Sequence, residues 1–267
     1  MKIYVISLES SHERKVALKK AFPKHYELFI FINAVDGRTL TTTEYFKLVT
    51  PNLYENNRLL SPAEVGCALS HMHVYEKIIQ ENKPAIVLED DVIGNDESLE
   101  KAISIAKKTK PDDVIFFGGY DHIQEAKDIY LKASPEQTST HTIYEIDEQS
   151  YIYLGSTCCY AIGANAARVT LNAQKKALKL ADNWYKHALN SNMQFKFTQL
   201  LRHPPFYNAS LNNSEIEKQR KSLSYKKTYK LFVDSILLNM RLFYISAYQA
   251  FNKIRIKNMK NLNELIK

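Results

Sequence analysis

The chain has 267 residues, 45% hydrophobic and 24% charged, with seven glycines and eight prolines. That excludes collagen-like or low-complexity composition and allows one large buried core, with or without an addition. The net charge of +7 sits in the last stretch: from Tyr225 to Lys267 nine Lys and Arg residues meet only Asp234 and Glu264, so residues 1–224 are neutral overall, and nucleic-acid binding loses its electrostatic footprint there.

Lys2–Leu8 alternates like a strand. It lacks the charged start and apolar run of a secretory signal, so a cytoplasmic address is expected. Glu9–Phe22 has helical spacing behind Ser10-Ser11, a cap signal. Tyr26–Ala34 reads as a second strand closed by the turn Val35-Asp36-Gly37, and Thr41–Tyr54 as a short helix and loop. Ser61-Pro62-Ala63-Glu64 combines a capping box with proline at the first helical position and starts a helix running to about Glu81. Pro84–Leu88 is wholly apolar, as a buried strand requires, and ends at Glu89-Asp90-Asp91. Leu99–Lys108 reads as a helix and Asp113–Phe117 as another buried strand ending in Gly118-Gly119-Tyr120-Asp121. Residues 122–150 read as loop or hairpin, Tyr151–Ile162 as strand-rich, Ala164–Ala177 and Ala181–Leu189 as helices, and Phe195–Leu201 with the loop His203–Ser210 as the end of the body. This alternation predicts an α/β sandwich with a mostly parallel sheet.

Residues 225–267 interleave cations with Leu, Ile, Phe and Tyr and contain neither Gly nor Pro, the pattern of a long basic helix. Such a helix suits an anionic membrane surface. It equally suits a hairpin packed on the core with its lysines in water. No run of apolar residues is long enough for a membrane span.

Three acids directly after a buried strand lie where open α/β sheets bind ligands. Adjacent carboxylates repel, and bridging a cation relieves them. An all-oxygen set favours Mg²⁺ or Mn²⁺. Glu89 and Asp91, two apart on an extended segment, face the same way. Asp121 and Asp36 follow other strands at the same expected edge. His71 and His73 lie two apart in a helix and cannot share a ligand, whereas His203, on a loop returning to the body, could supply a nitrogen. Cys67, Cys158 and Cys159 form no CxxC or zinc-type cluster and read as reduced thiols used as small core residues. Trp184, the single tryptophan, could stack on a sugar or fill the core. The P-loop, dinucleotide and nucleophile-elbow signatures are absent.

These motifs, in order, resemble glycosyltransferase family 25, which includes the bacterial lipooligosaccharide β-1,4-galactosyltransferases. The resemblance runs through Ile3–Leu8 with Arg14, Ala34-Val35-Asp36-Gly37, and the long stretch Ser61-Pro62-Ala63-Glu64-Val65-Gly66-Cys67-Ala68-Leu69-Ser70-His71. It continues with Ile86-Val87-Leu88-Glu89-Asp90-Asp91, then Gly155-Ser156-Thr157 with Tyr160-Ala161-Ile162, and His203-Pro204-Pro205 with Ser214 and Ile216. Ser7 stands where the family usually has Asn, and Pro62 and Ala63 also depart from its commonest form.

The resemblance implies a GT-A-type fold with a Rossmann-like, mostly parallel central sheet over residues 1–224 and a C-terminal helical extension over 225–267. It implies a metal-dependent inverting transfer of a hexose, galactose from UDP-galactose in particular, to a lipooligosaccharide core sugar by an enzyme peripheral to the inner membrane. Asp91 would be the metal ligand, with Glu89 on the metal water or ribose and His203 as a further ligand. Ser7, Leu8, Arg14, Asp36, His71 and Asp90 would contact the nucleotide sugar. Asp182, at the family position, is the first candidate for the base and Asp121 the second, although Asp182 fits a helix N-cap equally well. A carboxylate-pair glycoside hydrolase and a non-catalytic cation-binding surface protein are the rival readings.

Overall fold

Capping boxes open three of the helices, and the central strands are apolar on both faces. The computed structural model describes residues 1–121, 123–133, 135–137, 141–204 and 259–266. In chain order these form β1 (Lys2–Ser7), α1 (His12–Ala21), β2 (Phe29–Asn33), α2 (Thr42–Asn56), α3 (Pro62–Glu81), β3 (Ala85–Glu89), α4 (Asp96–Ala106), β4 (Asp113–Gly118), the short strands β5 (Tyr130–Leu131), β6 (Glu136–Gln137) and β7 (Thr142–Glu145), β8 (Cys159–Ile162), α5 (Ala164–Lys176), α6 (Trp184–Ala188), β9 (Gln194–Leu201) and β10 (Lys260–Asn261).

The sequence signal at Ser61 is realised in full. The Ser61 hydroxyl accepts from the Glu64 amide, and the Glu64 carboxylate accepts from the Ser61 amide, so two otherwise orphaned donors are satisfied together. Thr41 and Glu44 do the same for α2, which runs through Pro51 and is longer than expected. Asn82, in the left-handed conformation, ends α3. Ser11 stands at the N-cap of α1, but its side chain makes no capping bond.

The main sheet has the order β2-β1-β3-β8-β4-β9-β7-β6. β1 is parallel to β2 and β3, and β4 to β9, while β8 runs antiparallel between β3 and β4. β7 also runs against its neighbours β9 and β6, so most strands share one direction and the expected α/β class holds. Alternation along the strands splits the core between two faces. Ile3, Val5, Ile86, Leu88, Ile115 and Phe117 meet Leu18 of α1, Phe22 directly after it, and Leu99, Ala102 and Ile105 of α4. Tyr4, Ile6, Val87, Val114, Phe116 and Tyr160 meet Val74, Tyr75 and Ile78 of α3, Ala166 and Ala167 of α5, and Trp184 of α6. The result is a three-layer sandwich.

Several expectations are corrected locally. Tyr26–Leu28 is a 3₁₀ turn, so the second strand begins only at Phe29. Glu148–Tyr153 is another 3₁₀ turn, and strand structure within 151–162 is confined to Cys159–Ile162. There the Asp147 side chain accepts from the Gln149 backbone N–H and Ser150 N–H donates to the Asp147 carbonyl, starting a turn that carries into the segment whose apolar content suggested extension. Trp184 is fully buried against Phe116, Tyr160 and Phe195, which removes it from any exposed sugar-stacking role. The basic extension falls on 225–258, which lie outside the described residues, and on 259–266. There β10 pairs antiparallel with β5 and Leu262 is buried, so this end is strand and 3₁₀ turn, not helix.

Two glycines explain why Ala34–Gly37 and the start of α3 belong together. A Cβ on Gly66 would lie 2.3 Å from the Val35 carbonyl oxygen and 2.7 Å from the Gly37 amide nitrogen, and one on Gly37 would lie 1.7 Å from the Pro62 oxygen. Backbone touches backbone here, and the Val35 N–H donates to Ser70 Oγ across the same seam at 2.8 Å. Gly66→Ala is therefore expected to lower stability by about 1–3 kcal/mol, as overpacking does, read as a fall in the urea midpoint at unchanged m-value. An unchanged midpoint would show that the seam can open at little cost.

Candidate active site

The parallel strands β1, β3, β4 and β9 all end at one edge of the sheet, and β8, running the other way, begins there. Ile6 pairs with Glu89, so Ser7 lies beside the acidic run, and the Glu89 amide donates to the Cys158 carbonyl at 2.9 Å. The segment after β3 is stitched to the end of β9 by reciprocal Ile93–Arg202 backbone hydrogen bonds of 2.9 Å, and His203 follows directly.

The three acids have different surroundings. Asp90 is turned inward: Ser7 Oγ donates to one carboxylate oxygen at 2.8 Å and Arg14 Nη1 to the other at 2.6 Å. Arg14 comes from the first turns of α1 and also lies 3.3 Å from Asp91. Glu89 accepts from Thr157 Oγ1 at 2.6 Å and lies 3.4 Å from His71 Nε2. Burial works to raise its pKa, but the His71 ring, the Thr157 hydroxyl and the nearby His203 outweigh it and hold Glu89 below the usual carboxylate range.

Asp91 is the unsatisfied member. Its Oδ1 is buried with no hydrogen-bond partner among the described residues. Burial first, and then the Glu89 charge, push its pKa up to about 6, although His203 and Arg14 pull the other way. A carboxylate so placed, with an orphaned buried oxygen and other acids nearby, has the chemistry of a ligand for a hard cation.

His71 is buried on α3, with Nδ1 2.9 Å from the Tyr160 hydroxyl. Tyr160 in turn lies 3.0 Å from the Tyr75 hydroxyl. Trp184 Nε1 donates to the Ser156 carbonyl at 2.8 Å, so the buried indole fixes the backbone that presents Thr157. His203 Nδ1 lies 2.7 Å from its neighbour Pro204's carbonyl. A carbonyl only accepts, so Nδ1 carries the proton and a neutral ring keeps its lone pair on Nε2.

Asp121 is buried at the end of β4, where Gly118 and Gly119 have φ of 140° and 80°. Only glycine adopts this pair of conformations freely, and a Cβ on Gly118 would lie 1.8 Å from the Leu201 carbonyl oxygen. The turn brings Asp121 to the His203 backbone N–H at 3.2 Å. Asp182 is half-buried before α6, and its charge helps to raise the pKa of buried Tyr120, where burial is the larger cause. The N-cap of α6 is Asn183, whose side chain accepts from the Lys186 amide, so Asp182 does not fill the capping role that its position allowed.

Ser7, Arg14, His71, Glu89, Asp90 and Asp91 thus meet at one edge with His203. The Leu8 carbonyl lies 3.2 Å from Ser7 Oγ, whose one proton goes to the nearer Asp90. Asp36 is held in a two-point pair with Arg38 and caps the following turn. Thr157 and Tyr160 were not assigned roles from sequence. The signal was their place at the start of β8, legible only once β8 is known to enter beside β3.

A model of glycosyltransferase family 25 (LPS biosynthesis protein) matches residues 1–185. The lipooligosaccharide biosynthesis protein lic2B of Haemophilus influenzae is 29% identical over 139 residues, covering 48% of this chain and 50% of that protein. A glycosyltransferase 25 family member of Drosophila melanogaster is 27% identical over 126 residues, 44% of this chain and 21% of that one. One of Aedes aegypti is 30% identical over 128 residues, 43% and 21% respectively. The match spans half or less of the length of these relatives. Among solved structures the chain is similar to mannose-1-phosphate geranyltransferase from Thermus thermophilus, with a TM-score of 0.37 and 12% identity over 76% of this chain and 75% of that one.

The Asp91 environment makes a stability prediction. A carboxyl whose folded pKa lies above its unfolded value costs stability as pH rises from the unfolded pKa to the folded one, and the deficit is then constant. In metal-free buffer, Asp91→Asn should be about 1–3 kcal/mol more stable than the parent at pH 7, and the gap should close below about pH 4. Equal denaturation midpoints at pH 7 would contradict this account of the site.

Proposed function

Since this chain belongs to glycosyltransferase family 25, we propose that it transfers a hexose from a UDP-sugar, galactose first among the candidates, to a sugar of a lipooligosaccharide core, with inversion and with Mn²⁺ or Mg²⁺. The observation that carries this reading is the buried, orphaned Asp91 oxygen beside Glu89 at the sheet edge. The donor set fits a hard divalent ion: Asp91 as the direct ligand, Glu89 on an ion-bound water or the ribose, and His203 through Nε2. Bound there, the ion offsets the negative charge that develops on the departing diphosphate.

The remaining work falls to the chain. Arg14 is fixed by Asp90, so its guanidinium is held at the acidic edge, where it can also meet a diphosphate oxygen. Ser7 secures the other Asp90 oxygen. That leaves Asp90 as the anchor of Arg14, and donor-sugar contact by Asp90 requires one of these bonds to yield. His71 and Thr157 orient Glu89. Asp182 takes the proton from the acceptor hydroxyl as the anomeric carbon–oxygen bond to the diphosphate breaks. Its partial exposure favours it over Asp121, which is committed to the His203 amide and lies 3.9 Å from Arg202.

The test is nucleotide release from a panel of UDP-sugars with Mn²⁺ and a core oligosaccharide. Asp91→Asn should remain folded, lose metal-dependent UDP-sugar binding in calorimetry, and fall at least about 100-fold in kcat/KM. Asp182→Asn should keep that binding and lose about 10²–10⁴-fold in kcat. Full activity of either variant discards its assignment, and glycoside hydrolysis persisting in chelator would favour a hydrolase.

For the basic segment we propose an anionic membrane surface as partner. No helix among the described residues is long and apolar enough to cross a membrane, and the cations of 225–257 alternate with apolar residues. Because residues 260–262 pack on the body, charge replacement is a cleaner test than truncation. Lys226, Lys227 and Lys230 changed together to Gln should weaken sedimentation with anionic liposomes, at about 1 kcal/mol per cation, and spare activity on a soluble acceptor. Unchanged sedimentation would remove the membrane reading.

A further inference from the structure

Cys67 and His71 are four residues apart on α3, so they share one helical face, and that face looks across at Glu89 on the end of β3. One donor atom from each of these three side chains lies within 4.8 Å of the others. We propose that Cys67, His71 and Glu89 form a site for a soft divalent ion of the zinc type, distinct by its thiolate ligand from the oxygen-and-imidazole position at Asp91.

Thiolate, imidazole and carboxylate together make a zinc set with a fourth position open. The spacing suits it. The 3.4 Å between His71 Nε2 and Glu89 Oε1 is long for a hydrogen bond, yet close to the roughly 3.3 Å that separates two ligands with ~2.0–2.1 Å bonds to a tetrahedral ion. The thiol needs to move by about 1 Å to complete the set, within the reach of a side-chain rotation. Cys67 is the partly exposed cysteine, whereas Cys158 and Cys159 are buried.

The surroundings are prepared for it as well. A metal-bound histidine donates its other ring N–H to a fixed acceptor, and here Nδ1 lies 2.9 Å from the Tyr160 hydroxyl, itself 3.0 Å from that of Tyr75. Glu89 is oriented by Thr157. On binding, the Cys67 thiol proton and the proton that His71 Nε2 directs at Glu89 are released to water, sulfur–metal and nitrogen–metal bonds form, and His71 keeps its proton on Nδ1. The site shares Glu89 with the proposed donor pocket but does not depend on the transferase reading.

Cobalt(II) serves as the spectroscopic probe, because a thiolate ligand gives it an intense near-ultraviolet charge-transfer band that oxygen and nitrogen ligands do not. Titrating the full-length protein with Co²⁺ should produce that band, zinc should displace it, Cys67→Ser should lose it, and Cys158→Ser should retain it. Absence of the band in the parent, or its survival in a folded Cys67→Ser protein, overturns the proposal; Co²⁺ held only by Asp91 and His203 would give the first of these results. The unmutated protein supplies a second measurement. Zinc at about ten times its dissociation constant should slow alkylation of Cys67 by iodoacetamide about tenfold, followed by peptide mass spectrometry. An unchanged rate would likewise overturn the site, and Asp91→Asn should leave both results as they are.

Discussion

Three consecutive carboxylates at the end of a buried strand are the constraint around which this end of the molecule is organised. Removing one such charge from water costs several kcal/mol unless it is paired or hydrogen-bonded, and adjacent like charges add to the cost. The chain answers them separately. Asp90 receives Arg14 and Ser7, and Glu89 receives Thr157 and His71. Asp91 receives only the more distant Arg14 on one oxygen and no partner on the other among the described residues.

The partners come from four different elements, and the sheet topology makes them available together. Parallel β1 and β3 end side by side, which delivers Ser7 and the α1 entry to the acids. Antiparallel β8 starts where β3 ends, so the residues leading into it, Thr157 and Cys158, lie against Glu89. The glycine seam between Ala34–Gly37 and α3 draws the helix close enough for His71 to reach the strand end. Trp184, far along the chain, holds the Ser156 backbone from behind. An edge built only of parallel strands would lack the β8 residues.

Much of this was legible from sequence because its causes are local. The capping box at Ser61, the apolar run before Glu89 and the paired glycines before Asp121 each act within a few residues, and together they located the sheet edge and its acids. The remainder depends on tertiary pairing. The position of β8 between β3 and β4 has no local signature, so neither Thr157 nor Tyr160 could be assigned a partner. Tyr151–Tyr153 looked extended because its tyrosines and isoleucine are apolar, while the Asp147 hydrogen bonds that start the 3₁₀ turn just before it leave only a weak mark in the sequence. Trp184 illustrates the same limit: a lone tryptophan fits a sugar platform or a core equally, and only the packing of Phe116, Tyr160 and Phe195 around it decides.

Elsewhere the same chain satisfies buried acids completely, which gives the Asp91 environment its meaning. Asp113, at the opposite end of β4, is buried and paired with equally buried Lys196 at 2.8 Å. Glu64 is buried but completes its capping box and accepts from Arg58 at 2.8 Å. Both pairs are closed within the protein, so they serve the fold alone. Asp91 has Arg14 3.3 Å from one oxygen, yet its other, buried oxygen is left without a partner among the described residues. An electrostatic cost is retained at this edge in a chain that removes it at two other positions, and a cation or hydrogen-bond donor at Asp91 would relieve it.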